Sequence, residues 1–171
     1  LATGDAGFVD PDGHLVIIDR VKDVSHLLDG AVFAPQYIEN RLKFSPYIKE
    51  AVAAGHERPY VVSMINIDLE VISNWAEKRG IPYSGYADLA QKREVYEVVR
   101  HEIQRVNASL NTPLRIRKFV LLHKELDPDD AEITRTRKLR RRFVYDKYQE
   151  IIEAMYAAGV PEVKVQATVT Y

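Results

Sequence analysis

The chain has 171 residues, enough for one domain with a substantial core or two small ones. Its 24 Lys and Arg stand against 25 Asp and Glu, a formal net charge of −1, which argues against a domain built mainly to hold nucleic acid. There are no cysteines, which excludes disulfides, thiolate catalysis and cysteine-ligated zinc and suits a reducing cytoplasm. Apolar runs such as YVVSMINI are too short to span a bilayer, and no transmembrane segment is expected. The opening LATGD reads like the middle of something, so the chain is expected to be a fragment or one domain of a longer polypeptide.

Residues 3–20, TGDAGFVDPDGHLVIIDR, predict a β-hairpin whose turn is Asp10-Pro11-Asp12-Gly13, with Pro pre-setting φ and Gly tolerating positive φ. DRVKDVSHLLDG has no clear period and reads as a connector followed by a loop ending at Gly30. APQYIENRLKFSP has Pro35 near a first helical position, apolar residues at helical spacing and a stop before Pro46. IKEAVAAG and YVVSMINID predict two strands joined by the polar HERP turn. LEVISNWAEKRG is a short helix closed by Gly80, and IPYSGY is a loop.

A longer helical region follows at 87–111, with Val95, Val98, Val99, Ile103, Val106 and Leu110 on one stripe. RIRKFVLL reads as a strand and HKELDPDD as an acidic loop. A helix from Arg142 to Ala158 is expected to bury Phe143, Val144, Tyr148, Ile151, Ile152 and Met155; the tail 159–171 is a weak strand or disordered. The fold class is α/β (α+β): an N-terminal hairpin, then a short mixed sheet flanked by helices, with a boundary near residues 19–24.

Four features could carry chemistry. Asp5 and Arg20 mark the two ends of the hairpin segment; a carboxylate can accept two hydrogen bonds from a vicinal diol, and an arginine fork suits hydroxyls or phosphate. Taken alone, each residue reads first as part of an ordinary turn or surface ion pair. Lys22, in the VKD connector, suits a solvated linker, and Gly30 a plain turn. The run Arg135, Arg137, Lys138, Arg140, Arg141 and Arg142 is open to three readings: a solvated helix start, a nucleic-acid contact, or the setting of one reactive lysine. No phosphate-binding loop, dinucleotide-binding glycine pattern, HExxH motif or EF-hand spacing is present.

Taken in order, TGD-G--D-DG-L-I-DR-KD, then G-----P--IE--L--SP-I-EA-V-G, then IT-T-K-RR resembles the carboxy-terminal part of the adenylate-forming enzymes over roughly residues 3–150. Within that superfamily it looks like the long-chain fatty acyl-CoA synthetases, to which Trp75 and VNASLNTPLRIRKFVLL also point. The resemblance implies a two-step reaction: fatty acid and Mg-ATP give acyl-adenylate and pyrophosphate, and coenzyme A then displaces AMP. Aryl and other acid–CoA ligases share the pattern. It also implies a small domain (24–158) that swings about a hinge at 19–24, at Asp19 and Lys22, against a large N-terminal adenylation domain to which residues 1–20 belong.

On the matching positions, Asp5 would bind the ribose hydroxyls, Arg20 would reach the ribose or phosphate, and Lys22 would contact the nucleotide as well as hinge. Gly30 would line the pantetheine tunnel, and Lys138 would bridge carboxylate and α-phosphate during adenylation. Mg2+ would be bound mainly by the N-terminal domain, so this chain alone should not turn over substrate; no metal site or nucleic-acid partner is expected within it. The whole enzyme is expected in the cytoplasm or peripheral to a membrane. The sequence departs from the family pattern in three places: no aromatic precedes TGD, Asp29-Gly30 replaces a glycine pair, and Thr134-Arg135-Thr136-Arg137-Lys138 lacks the usual proline.

Overall fold

The computed structural model describes residues 4–157; for Ile18, Asp19, Arg20 and Lys22 the description stops at the backbone. The tail expected at 159–171 lies outside the described residues.

Strands β1 (Asp5–Val9) and β2 (Leu15–Arg20) form the expected antiparallel hairpin. Its turn is built from Asp10, whose Oδ1 accepts the N–H groups of Asp12 and His14 at 3.0 and 2.8 Å. Gly7 is required by close approach, because a Cβ there would lie 2.5 Å from the Val16 carbonyl oxygen. A 3-10 turn at Val21–Asp23 follows, and then two short strands, β3 (Ser25–His26) and β4 (Val32–Phe33), which pair with each other. The loop expected to end at Gly30 is thus part of a small second hairpin, in which Leu27 N–H donates to Ala31 O (2.9 Å) and Gly30 N–H to Leu27 O (3.0 Å).

The core is a three-stranded sheet of β5 (Ile48–Ala54), β6 (Val61–Ile67) and β7 (Ile116–Leu121), in the order β5-β6-β7. β5 and β6 are antiparallel; β6 and β7 are parallel, so the chain needs a crossover between them. Helices α2 (Leu69–Glu77), α3 (Tyr86–Leu89) and α4 (Arg93–Ala108) make that crossover. With α1 (Pro35–Leu42) they bury one face of the sheet: Ala51, Ala53, Ile65, Phe119 and Leu121 pack with Ile38, Leu42, Ile72, Val99 and Ile103. The alternate residues Val52, Ala54, Val62, Met64 and Val120 form the other face and pack on α5 (Arg141–Lys147) and α6 (Gln149–Tyr156). Covering on both faces is why the strands read as continuous apolar runs and why all of Val61–Ile67 is buried.

Helix ends follow local rules. The Asp68 side chain caps α2 by accepting from Val71 N–H at 3.0 Å. Gly80, at φ +65°, ends that helical stretch while Ile81 N–H reaches back to Ala76 O at 3.0 Å. The helical region expected over 87–111 is divided, because Lys92 turns extended (ψ 132°) between α3 and α4. Of its stripe, Val95, Val99, Ile103, Val106 and Leu110 are buried.

The single helix expected from Arg142 to Ala158 is also two, bent at Tyr148, whose φ/ψ of −104°/20° ends α5 and opens α6. Val144, Tyr148, Ile151, Ile152 and Met155 are buried as expected, but Phe143 is 39% exposed. It turns outward because the Arg140 guanidinium stacks over its ring, 5.6 Å from the centroid.

Candidate active-site cleft

The basic run is folded into a tight antiparallel hairpin. Ile133 bridges Leu139, Arg140 N–H donates to Glu132 O (2.9 Å) and Thr134 N–H to Lys138 O (2.8 Å). Its tip closes with Arg137 N–H on Thr134 O at 2.8 Å, so Arg135 and Thr136 are the two central residues of a four-residue turn. The Thr134 hydroxyl contacts the Thr136 hydroxyl at 3.0 Å and accepts the Lys138 N–H at 3.0 Å. Arg137 takes up left-handed backbone at φ +58°, which reverses the chain and leaves Lys138 exposed.

The six positive charges are not equivalent. Arg141 makes a bidentate pair with Glu39 at 2.5 and 2.8 Å, Arg137 lies 3.6 Å from Glu50, and Arg140 stacks on Phe143. Arg141 is therefore not a solvated charge, as a plain helix start would have it. Burial alone would lower its pKa, but the hydrogen bonds and charge of Glu39 outweigh burial and raise it above the usual arginine range. Lys138, like Arg135 and Arg142, has no ion-pair partner among the described residues.

Lys138 opens on a cleft of about 920 Å³ between this hairpin and α1. Gln36 and Asn40 line it from α1, Lys43 from the residue that caps α1, and Asp23 from the 3-10 turn that contains Lys22. The structure thus brings the Lys138 hairpin and the 21–23 connector to one cavity. It is a cationic cavity, able to attract a polyanion, because the Glu39 carboxylate within it is already neutralised by Arg141.

The other site candidates lie elsewhere. Asp5 is exposed at the start of β1, and the strand register places it directly opposite Arg20. The Asp19, Arg20 and Lys22 side chains lie outside the described residues. Gly30 sits at the β3–β4 turn at φ +84° with open space around it, and does not line the cleft. The three-residue group Asp10, Asp12 and His14 has metal-ligand geometry, but it is the exposed turn of the first hairpin, with Asp10 already engaged by backbone N–H groups.

Glu132 was not singled out from the sequence, where it is one more acid beside an acidic loop. It is 0% exposed. Its carboxylate accepts from Tyr148 Oη (2.6 Å), Lys147 Nζ (2.8 Å) and Asp127 N–H (2.8 Å). No local pattern marks it; the one available signal is that an acid directly precedes the apolar Ile133 of the hairpin.

A family model described as AMP-binding enzyme C-terminal domain matches residues 22–159. The chain belongs to that family. FadD15 of Mycobacterium tuberculosis, named a long-chain-fatty-acid–CoA ligase, is 32% identical over 155 residues, 90% of this chain and 26% of that protein. The putative fatty-acid–CoA ligase fadD11 of the same species is 33% identical over 171 residues, 99% of this chain and 30% of that one. This AMP-binding C-terminal domain therefore spans roughly a quarter to a third of the curated relatives it matches. In fold it is similar to the adenylation domain of a carboxylate reductase from Mycobacterium chelonae, with TM-score 0.69 and 24% identity over 90% of this chain and 22% of that one. No helix among the described residues is long and apolar enough to cross a membrane.

Proposed function

We propose that this domain is the mobile C-terminal part of a long-chain fatty acid–CoA ligase and that Lys138 is its catalytic residue in the adenylation step. The observation that carries the reading is the placement of Lys138: an unpaired ammonium on a hydrogen-bonded turn, facing a cationic cleft shared with the connector. In adenylation a fatty carboxylate oxygen attacks the α-phosphorus of ATP and pyrophosphate leaves. Two anions are forced together, and a compact ammonium between them offsets the repulsion where charge builds up. In the second step the thiol of coenzyme A attacks the acyl carbonyl and AMP leaves.

Asp5 and Arg20, opposite each other at the open end of the first hairpin, are the pair we assign to the ribose hydroxyls and the adjoining phosphate. Asp19 and Lys22 flank the point where the hairpin becomes a 3-10 turn, and we assign them the hinge, with Lys22 also reaching the nucleotide. Residues 1–20 then travel with the N-terminal adenylation domain and 24–158 swing against it. Gly30 is assigned to the pantetheine tunnel. Mg2+ accompanies ATP and is assigned mainly to the N-terminal domain, in keeping with the predominantly basic lining of the cleft here. The similarity to FadD15 and fadD11, both named fatty-acid–CoA ligases, favours a fatty acid over an aryl acid as substrate; the whole enzyme is assigned to the cytoplasm or a membrane periphery.

The test compares full-length enzyme with its Lys138→Ala variant in the two half-reactions. Acyl-adenylate formation should fall by about 100-fold or more, while thioester formation from preformed adenylate changes far less. Equal loss in both removes Lys138 from the proposed role.

A further inference from the structure

The hairpin that carries Lys138 is fixed at its base rather than along its length. Its first rung joins Glu132 O to Arg140 N–H; beyond it lie the Ile133–Leu139 bridge, the Thr134 N–H to Lys138 O rung and the turn, and its exit is held at Arg141 by Glu39. Below that rung the chain is the irregular acidic segment 123–131, in which Ala131 has a left-handed φ of +60°. An irregular segment cannot by itself set where a lysine two rungs higher will stand.

On the entering strand it is set by the Glu132 side chain, which is buried while its backbone begins the hairpin. The carboxylate takes Tyr148 Oη at 2.6 Å and Lys147 Nζ at 2.8 Å, both from the junction of α5 and α6, and Asp127 N–H at 2.8 Å from its own loop. The bend between the two helices falls at Tyr148, the residue that donates its hydroxyl. The preceding loop is held in turn by the buried Asn66 on β6, which donates to Lys124 O (2.8 Å) and accepts from Leu126 N–H (3.0 Å). A buried carboxylate with three donors is rigid, because releasing any one leaves a desolvated charge underused.

We propose that Glu132 is the positioning residue for Lys138: anchored to Tyr148 and Lys147, it fixes the base of the hairpin and so sets the place of the ammonium in the cleft. Glu132 touches no substrate, and acts only through the lysine. This inference rests on the catalytic role proposed for Lys138.

The experiment is a double-mutant cycle in the full-length enzyme with Glu132→Gln, Tyr148→Phe and Lys138→Ala. Glutamine keeps the shape and an acceptor for Asp127 N–H but gives up the charge that holds Lys147. We expect Glu132→Gln to slow adenylation roughly 10- to 100-fold, the range set by a misplacement of about 1 Å, with KM for the acid little changed. Tyr148→Phe should cost less in the same step. Thioester formation from preformed adenylate should be unchanged in both, which a general loss of folded enzyme would not allow. In the Lys138→Ala background Glu132→Gln should cost nothing further, since residues that act as a unit are not additive. Losses that multiply, or equal losses in both half-reactions, overturn the positioning role. Full adenylation by Lys138→Ala alone would instead overturn the catalytic reading on which it rests.

Discussion

Arg141 lays both of its Nη atoms on the Glu39 carboxylate, at 2.5 and 2.8 Å, while Glu39 Oε1 also accepts the Ala53 N–H at 2.8 Å. The contact ties the exit of the Lys138 hairpin to α1 and, through Ala53, to the edge of the sheet. Only 18% of the Arg141 side chain and 6% of the Glu39 side chain are exposed.

Removing one partner of such a pair strands a buried charge. Arg141→Ala should therefore destabilise the domain by about 3–5 kcal/mol. Replacing both residues together, as Glu39→Leu with Arg141→Met, should recover much of that loss because no lone charge remains. Urea denaturation followed by circular dichroism distinguishes the two: the midpoint should fall sharply in the single variant and far less in the double. A single variant as stable as the parent would show that the pair contributes little.

Arg135 occupies the second position of the turn from Thr134 to Arg137, where proline is favoured, and its N–H makes no backbone hydrogen bond among the described residues. Arg135→Pro should thus be accepted without strain and stabilise the domain by about 0.4–1 kcal/mol through the unfolded state. Thermal denaturation checks the gain, and adenylation by the full-length enzyme should persist. A lowered Tm would mean that the turn at Thr134–Arg137 differs from the one described.

Gly30 sits at φ +84° with no atom within 4 Å of a built Cβ. Gly30→Ala should therefore cost about 1–2 kcal/mol from backbone conformation alone. In the full-length enzyme a bulky residue at 30 should slow thioester formation more than adenylation. Intact thioester formation in such a variant would take Gly30 out of the tunnel.

Two surface carboxylates contribute to stability on the acid side. The Asp130 carboxyl is held below its ordinary value first by the hydrogen bond from Lys124 and then by that from Lys147; Asp88 is lowered by the Ser84 N–H and then by Lys92. A folded-state pKa below the unfolded one contributes stability above the ordinary carboxylate value near 3.9, lost as pH falls through the lower folded value. Asp88→Asn with Asp130→Asn should flatten the fall in urea midpoint between about pH 5 and pH 2. An unchanged acid limb would mean that other carboxylates govern it.

The central sheet was legible because its strands are buried on both faces: IKEAVAA, VVSMINI and IRKFVL show as apolar runs between turn residues. The α4 stripe was legible for the related reason that its period matches one covered face. The bend at Tyr148 was not, because no local pattern marks it, and its hydroxyl's partner, Glu132, lies sixteen residues away. The outward turn of Phe143 escaped too, since hydrophobicity gives no warning that Arg140 will stack on it. Ordered motifs marked Lys138 and the connector, which meet at the cleft, and also Gly30, which lies away from it, whereas Glu132 and the Arg141–Glu39 pair needed the tertiary fold. Burial of a charge depends on partners that the local sequence does not contain.

Arg137 holds a backbone conformation that costs an L-residue about 1–2 kcal/mol, and it does so before any ligand arrives. The turn around it is already closed by its own hydrogen bonds. Lys138 can therefore meet an anion with its backbone ordered in advance, surrendering only side-chain freedom at each encounter. The entropy of shaping that turn is settled once, at folding, rather than at each encounter with an anion.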